Sequence, residues 1–119
     1  MDLNAGNIFL LGAIVIFIAY FLGKNVFTKK KIRAAIAEGA VIVDVRTASE
    51  YASRHYNGAI NIPVDVISSK LAKIGPKDKP VIVYCASGSR SAAAANTLKA
   101  AGYTNVVNAG GISTIMSIK

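Results

Sequence analysis

The stretch Pro80-Val-Ile-Val-Tyr-Cys-Ala-Ser-Gly-Ser-Arg-Ser91 decides the fold of this 119-residue chain. Residues 80–84 are mostly β-branched and apolar, which predicts a buried strand. Small residues at 86–89 then predict a tight loop, and the Ala-rich segment 91–101 predicts a helix that ends at Gly102. A strand, a short loop and a helix in this order are typical of a parallel α/β sheet.

The segments before and after this stretch repeat the alternation of strand and helix. The other predicted strands cover residues 41–45, 58–63 and 105–108. The other predicted helices cover residues 28–38, 48–54, 65–74 and a short segment after Gly111. Thr28 and Thr47 are placed to cap two of these helices. We therefore expect an α/β fold, a parallel sheet with helices on both faces.

The N-terminal part of the chain is strongly apolar. Residues 3–23 carry no charge, and a helix over them would rise about 30 Å, the thickness of a bilayer core. Tyr20 and Phe21 are placed as interfacial aromatics. Five basic residues follow within a short span: Lys24, Lys29, Lys30, Lys31 and Arg33. We expect one transmembrane helix, with residues 1–27 as anchor and basic flank and residues 28–119 as the folded domain.

Two other interpretations of the apolar run are weaker. A buried soluble helix would need a larger domain around it, and a cleaved signal peptide should begin with positive charge, whereas residues 1–7 carry Asp2 and no Lys or Arg. The basic cluster after the run favours a single-pass protein of the bacterial inner membrane with its domain on the cytoplasmic side. A periplasmic domain is the alternative.

The net charge of +8 arises from 14 basic and 6 acidic residues. A basic chain suggests nucleic-acid binding, but much of the excess charge here adjoins the apolar run, so a membrane-flanking role is expected and no nucleic-acid partner. The sequence contains one cysteine, which excludes a disulfide within the chain. The oligomeric state stays open.

Cys85 ends the predicted strand, and four small residues separate it from Arg90. Such a loop can turn its backbone N–H groups inward as an anion-binding nest, and the following helix adds the positive end of its dipole. A thiol in that position has a lowered pKa and becomes a nucleophile. A buried structural cysteine before a Gly/Ser turn is the alternative.

Four separated motifs resemble those of single-domain rhodaneses. They are Val43-Asp-Val-Arg-Thr47 with Glu50-Tyr51, His55 with Gly58-Ala-Ile-Asn-Ile-Pro63, Val83-Tyr-Cys-Ala-Ser-Gly-Ser-Arg-Ser91, and Gly102-Tyr103 with Asn108-Ala-Gly-Gly111. The short C-terminal segment is most similar to the small phage-shock-protein-E type. The resemblance implies a rhodanese-like parallel sheet and a thiosulfate sulfurtransferase.

The resemblance also implies roles for individual residues. Cys85 would take sulfur from thiosulfate or a persulfide, carry it as its own persulfide, and pass it to cyanide or a thiol. The anion would bind to the loop residues Ala86, Ser87, Gly88, Ser89 and Arg90. Asp44 and Arg46 would support the site, Asp44 by satisfying buried donors near the loop and Arg46 by pairing with Glu50. His55 is expected to be a structural turn residue, and no cofactor or metal is expected.

Two rival functions remain at this stage. A phosphatase or arsenate reductase of related fold also places a cysteine before a loop and an arginine, but its loop is one residue longer. A non-catalytic, membrane-tethered binding module is the other alternative. Arg54, Tyr56 and Ile115 depart from the family pattern, which leaves the acceptor specificity open.

Overall fold

Four parallel strands form one sheet in the order β2-β1-β3-β4. The computed structural model describes residues 5–118. The strands are β1 (Val41–Asp44), β2 (Ile60–Asn61), β3 (Val81–Cys85) and β4 (Val106–Gly111). The helices are α1 (Ala5–Ala37), α2 (Ala48–Ser53), α3 (Ser89–Ala100) and α4 (Ile112–Met116). The strand that ends at Cys85 is therefore an interior strand, between β1 and β4.

Helices cover both faces of the sheet, as predicted. On one face, Val83 and Cys85 of β3 pack in a cluster with Leu98 of α3. On the other face, Ile82 and Tyr84 pack with residues of α1 and α4. Because side chains alternate along a strand, the β-branched run of β3 supplies both cores and is buried at every position.

α1 is one continuous helix of 33 residues, so the predicted cap at Thr28 is wrong. The hydroxyl of Thr28 donates to the carbonyl oxygen of Lys24, 3.0 Å away and one turn earlier. This bond satisfies a threonine in a helix interior without breaking the helix. The C-terminal part of α1 packs on the sheet through the buried Ile32 and Ala35.

The N-terminal part of α1 exposes apolar side chains all around its circumference. Phe9, Ile16 and Phe17 are examples, and an 18-residue window of the helix has a mean hydropathy of 2.3. By length and composition this helix is a candidate membrane span.

The helix predicted over residues 65–74 is also wrong. Two short 3-10 helices, Val64–Ser69 and Leu71–Lys73, occupy this part of the chain. The hydroxyl of Ser69 donates to the carbonyl oxygen of Val66, which competes with the regular helical pattern. Gly75 and Pro76 end the segment before an α-helix could develop.

Candidate active site

Cys85 is the last residue of β3, and its side chain is fully buried. Residues 86–88 form the loop, and α3 begins at Ser89. The thiol therefore lies at the carboxyl end of an interior strand, below the N-terminus of a 12-residue helix. This is where ligands bind in open α/β sheets, and helix N–H groups without intrahelical partners point to such a position.

Gly88 and Ser91 make close contacts with the sulfur. The backbone N–H of Gly88 donates to Sγ at 2.9 Å. The Sγ atom of Cys85 lies 3.6 Å from Oγ of Ser91. The thiol donates to this oxygen, whereas the thiolate accepts a hydrogen bond from the same hydroxyl. The loop therefore curls back on the sulfur, as its small residues predict.

The pKa of the Cys85 thiol is lowered overall. Burial acts to raise the pKa, but hydrogen bonds from the hydroxyl and backbone of Ser91 and from the backbone of Gly88 and Ser87 lower it by more. The donors stabilise the thiolate because they place positive dipoles on the sulfur. The direction agrees with the expectation from the loop composition.

Ser91 is the site residue that the sequence analysis missed. Its side chain is fully buried, and its hydroxyl lies 2.9 Å from the carbonyl oxygen of Gly88. The sequence carried one signal for it, since a serine in the first turn of an Ala-rich helix has a hydroxyl able to reach the loop before that helix.

Two glycines let the loop pack closely against the end of β4. A Cβ atom at Gly111 would lie 2.8 Å from the carbonyl oxygen of Ala86, inside the van der Waals limit. Gly88 has a φ of 110°, which favours glycine, and it faces Gly110. The segment Asn108-Ala-Gly-Gly111 therefore supports the loop from the neighbouring strand.

Arg90 forms a bidentate ion pair with Glu50. Its two terminal nitrogens lie 2.6 and 3.0 Å from the two carboxylate oxygens. The Arg90 hydrogen bonds, followed by the backbone N–H of Thr47, lower the pKa of Glu50 to about 2. In turn Glu50 raises the pKa of Arg90, and the nearby Cys85 sulfur adds to this rise.

Glu50 also takes part in the cap of α2, which was predicted at Thr47. Thr47 and Glu50 form a reciprocal capping box, in which each side chain accepts a hydrogen bond from the backbone of the other. Glu50 thus connects the first turn of α2 with the first turn of α3, where the loop ends.

The predicted pair between Arg46 and Glu50 is wrong. The guanidinium of Arg46 instead binds the buried carboxylate of Asp44, with an Nη2–Oδ2 distance of 2.6 Å. The backbone N–H of Arg46 also donates to Asp44, at 2.9 Å. Asp44 does satisfy buried donors, but these belong to Arg46 and not to the loop. The pairing differs because the side chains of Asp44 and Arg46 are both buried at the end of β1, where they meet. Glu50 lies outside this buried region, beside Arg90.

His55 is an exposed residue of the turn after α2. Its ring stacks on that of Tyr51 with 3.8 Å between centroids, and its Nδ1 lies 2.8 Å from the carbonyl oxygen of Tyr51. These contacts agree with a structural turn residue.

Two of the residues that depart from the family pattern have clear contacts. Tyr56 donates its backbone N–H to the hydroxyl of Tyr84, and Ile115 is fully buried in the core.

Residues 28–117 match the family model of the rhodanese-like domain. The chain belongs to the rhodanese-like family. The resemblance inferred from the motifs is confirmed, as is the rhodanese-like fold.

Three similar proteins illustrate the family. The chain is 42% identical to the thiosulfate sulfurtransferase PspE of Escherichia coli K12 over 74 residues, which is 61% of this chain and 71% of that protein. A solved E. coli rhodanese with anions is 37% identical, with a TM-score of 0.63 over 67% of this chain and 94% of that one. The human single-domain sulfurtransferase TSTD1 is 26% identical, with a TM-score of 0.64 over 76% and 93% of the two chains. The protein is a rhodanese-like sulfurtransferase.

Proposed function

We propose that this sulfurtransferase carries sulfur as a persulfide on Cys85, taking it from thiosulfate or another persulfide and giving it to cyanide or a thiol. The observation that carries the proposal is the buried thiol held by the Gly88 N–H at 2.9 Å, below the start of α3. That contact favours a thiolate, which is the nucleophilic form of cysteine.

The first half-reaction forms the persulfide. The Cys85 thiolate attacks the outer sulfur of thiosulfate, a new S–S bond forms, and the bond to the sulfonate group breaks with its electron pair leaving on sulfite. The backbone N–H groups of residues 86–90, at the positive end of α3, would hold the anionic persulfide. The reaction needs no oxidant, because the sulfur transferred is already in the sulfane state.

Arg90 contributes charge near the loop while its guanidinium is held by Glu50. We therefore assign the Arg90 side chain a positioning role, in which it orients the first turn of α3. The backbone N–H of Arg90 would still contact the bound anion. Asp44 and Arg46 support the end of β1 as a buried pair.

We further propose that residues 1–27 anchor the domain, residues 28–119, in a membrane. Apolar side chains cover α1 on all sides before Lys24, which no soluble surface of this size would leave exposed. Five basic residues between Lys24 and Arg33 favour the cytoplasmic side of a bacterial inner membrane for the domain, with the periplasmic side as alternative.

Incubation with thiosulfate followed by intact-protein mass spectrometry tests the persulfide. We expect the mass of one added sulfur atom, removable by cyanide with release of thiocyanate. Cys85→Ser should give neither the adduct nor turnover while unfolding at the same temperature as the wild type. Undiminished turnover in Cys85→Ser would exclude the mechanism.

A further inference from the structure

A groove of about 390 Å³ lies between α1 and the catalytic loop. One wall consists of the apolar helix residues Phe17, Tyr20 and Phe21. Ser87 of the loop and Gly110 at the end of β4 line the opposite wall. The groove therefore joins the part of α1 proposed to span the membrane to the part of the domain proposed to hold the sulfur.

The position of this groove along α1 determines its depth relative to the bilayer. A membrane span needs about 20 apolar residues, and the uncharged run of residues 3–23 reaches that length only if it includes the residues up to Gly23. Phe17 precedes Lys24 by about 10 Å along the helix axis, so it lies within the bilayer boundary when Lys24 lies among the headgroups. With Lys24 of the proposed anchor among the headgroups, Ser87, which shares the groove with Phe17 and Phe21, would lie at the membrane–water interface.

We propose that the groove binds the apolar tail of an amphiphilic anionic thiol, which accepts the sulfur of Cys85 at the membrane surface. This inference rests on the proposed function, since it names the acceptor class for the same site. Among the described residues that line the groove, Lys24 is the one charged side chain and no carboxylate is present. The groove thus offers apolar contacts for a tail and one cation for an anionic group.

The distance from the groove to the thiol suits such an acceptor. Ser87 is two residues beyond Cys85, which is a separation of at most about 7 Å along the chain. Ser87 is exposed, whereas Cys85 lies under the loop on the other face of the sheet. A flexible acceptor with its tail against Phe21 could therefore extend its thiol group over Ser87 to the persulfide on Cys85.

The transfer itself is balanced without a further reactant. The acceptor R–SH gives its proton to the outer sulfur of Cys85–S–S⁻, and its thiolate sulfur then attacks that outer sulfur. The bond from the outer sulfur to Sγ breaks with the electron pair returning to Sγ. The products are the persulfide R–S–SH and the Cys85 thiolate. The lowered pKa of Cys85 makes its thiolate a good leaving group.

Acceptor chain length tests the proposal on the full chain in phosphatidylcholine nanodiscs, with thiosulfate as donor. The acceptors compared are mercaptopropionate and mercaptoundecanoate, which share the thiol and the carboxylate. We expect kcat/KM to favour the longer acceptor by about tenfold or more, since burial of one methylene group is worth a factor of about four.

Partition of the longer thiol into the disc would raise its local concentration for every variant equally, so two matched variants isolate the groove. Phe21 lines the groove, whereas its neighbour Leu22 does not, and the two side chains are 60% and 56% exposed. We expect Phe21→Ala to reduce the preference for the longer acceptor by about fivefold and Leu22→Ala by less than about twofold. Of these two side chains, only that of Phe21 would contact the tail.

Two results would overturn the proposal. One is the absence of a chain-length preference in the wild type, and the other is an equal preference in wild type, Phe21→Ala and Leu22→Ala. Failure of the proposed function gives a different result, namely no transfer to any acceptor, cyanide included.

Discussion

Glu50 and Arg90 lie 40 positions apart in the chain and form a bidentate ion pair with N–O distances of 2.6 and 3.0 Å. Because Glu50 also caps α2, this pair connects the first turn of one helix with that of another beside the Cys85 loop. The loop is therefore held from both ends, by β3 before Cys85 and by the Glu50 contact after Gly88.

Glu50→Gln should lower the melting temperature at neutral pH, because glutamine cannot form an ion pair with Arg90. Glutamine can still cap α2, so the variant removes the ion pair and keeps the cap. The pKa of Glu50 is depressed from 4.5 to about 2, first by Arg90 and then by the Thr47 backbone. The pair therefore stabilises the fold above pH 4.5, and this contribution is lost as the pH falls from 4.5 to about 2.

Thermal unfolding of wild type and Glu50→Gln across this pH window measures the effect. The difference in melting temperature should close towards pH 2, the lower end of that window. Glu38→Gln, at an exposed residue just after α1, is the control and should leave the melting temperature nearly unchanged. A difference that persists undiminished at the acid end would show that the ion pair is not its source.

Ser91→Ala should raise the pKa of Cys85, because the Ser91 hydroxyl is a leading donor among those that lower it. We expect the midpoint to move to higher pH, since the variant removes a hydrogen bond that stabilises the charged thiolate. The rate of iodoacetamide alkylation as a function of pH reports the value. Ser113→Ala, in the first turn of α4, is the control, and an unshifted midpoint in Ser91→Ala would contradict the assignment.

Gly111→Ala should destabilise the Cys85 loop, because the new Cβ would lie 2.8 Å from the carbonyl oxygen of Ala86. We expect a loss of about 1–3 kcal/mol in unfolding free energy, typical of overpacking, with reduced sulfur transfer. Urea unfolding in detergent and thiocyanate release measure the two effects. Gly23→Ala, where a Cβ meets nothing within 4 Å, should lose neither stability nor activity. Equal behaviour of the two variants would show that the close approach is unimportant.

Asp44→Asn should lower the unfolding free energy by about 3–5 kcal/mol, because it leaves the guanidinium of Arg46 buried without its counter-ion. The side chains of the two residues are 0% and 7% exposed, so water cannot replace the lost carboxylate. Urea unfolding compares this variant with Asp65→Asn, at an exposed position of the 3-10 segment. Similar stabilities for the two variants would contradict the importance of the buried pair.

The orientation of the proposed anchor can be tested with fusions after Lys119 in a bacterial host. We expect fluorescence from green fluorescent protein and no activity from alkaline phosphatase, because translocation of the basic cluster after Gly23 is unfavourable. Strong phosphatase activity would place the domain in the periplasm and leave the sulfur chemistry as proposed.

Local sequence patterns determined most of the elements and the centre of the site. The apolar run of β3, the small residues after Cys85 and the Ala-rich start of α3 predict a strand, a loop and a helix because each depends on neighbours only a few positions away. The capping box of Thr47 and Glu50 was predictable in part for the same reason. The uncharged run of α1 was likewise evident from the sequence, because its length and polarity can be read directly from consecutive residues.

Tertiary structure alone decided which side chains pair around that centre. Helical spacing predicted a pair between Arg46 and Glu50, but Arg46 binds Asp44 and Glu50 binds Arg90. The buried hydroxyl of Ser91 became evident only from the curl of the loop onto the sulfur. These contacts depend on how the pairing of β1, β3 and β4 brings loops that are distant in the chain to one edge of the sheet.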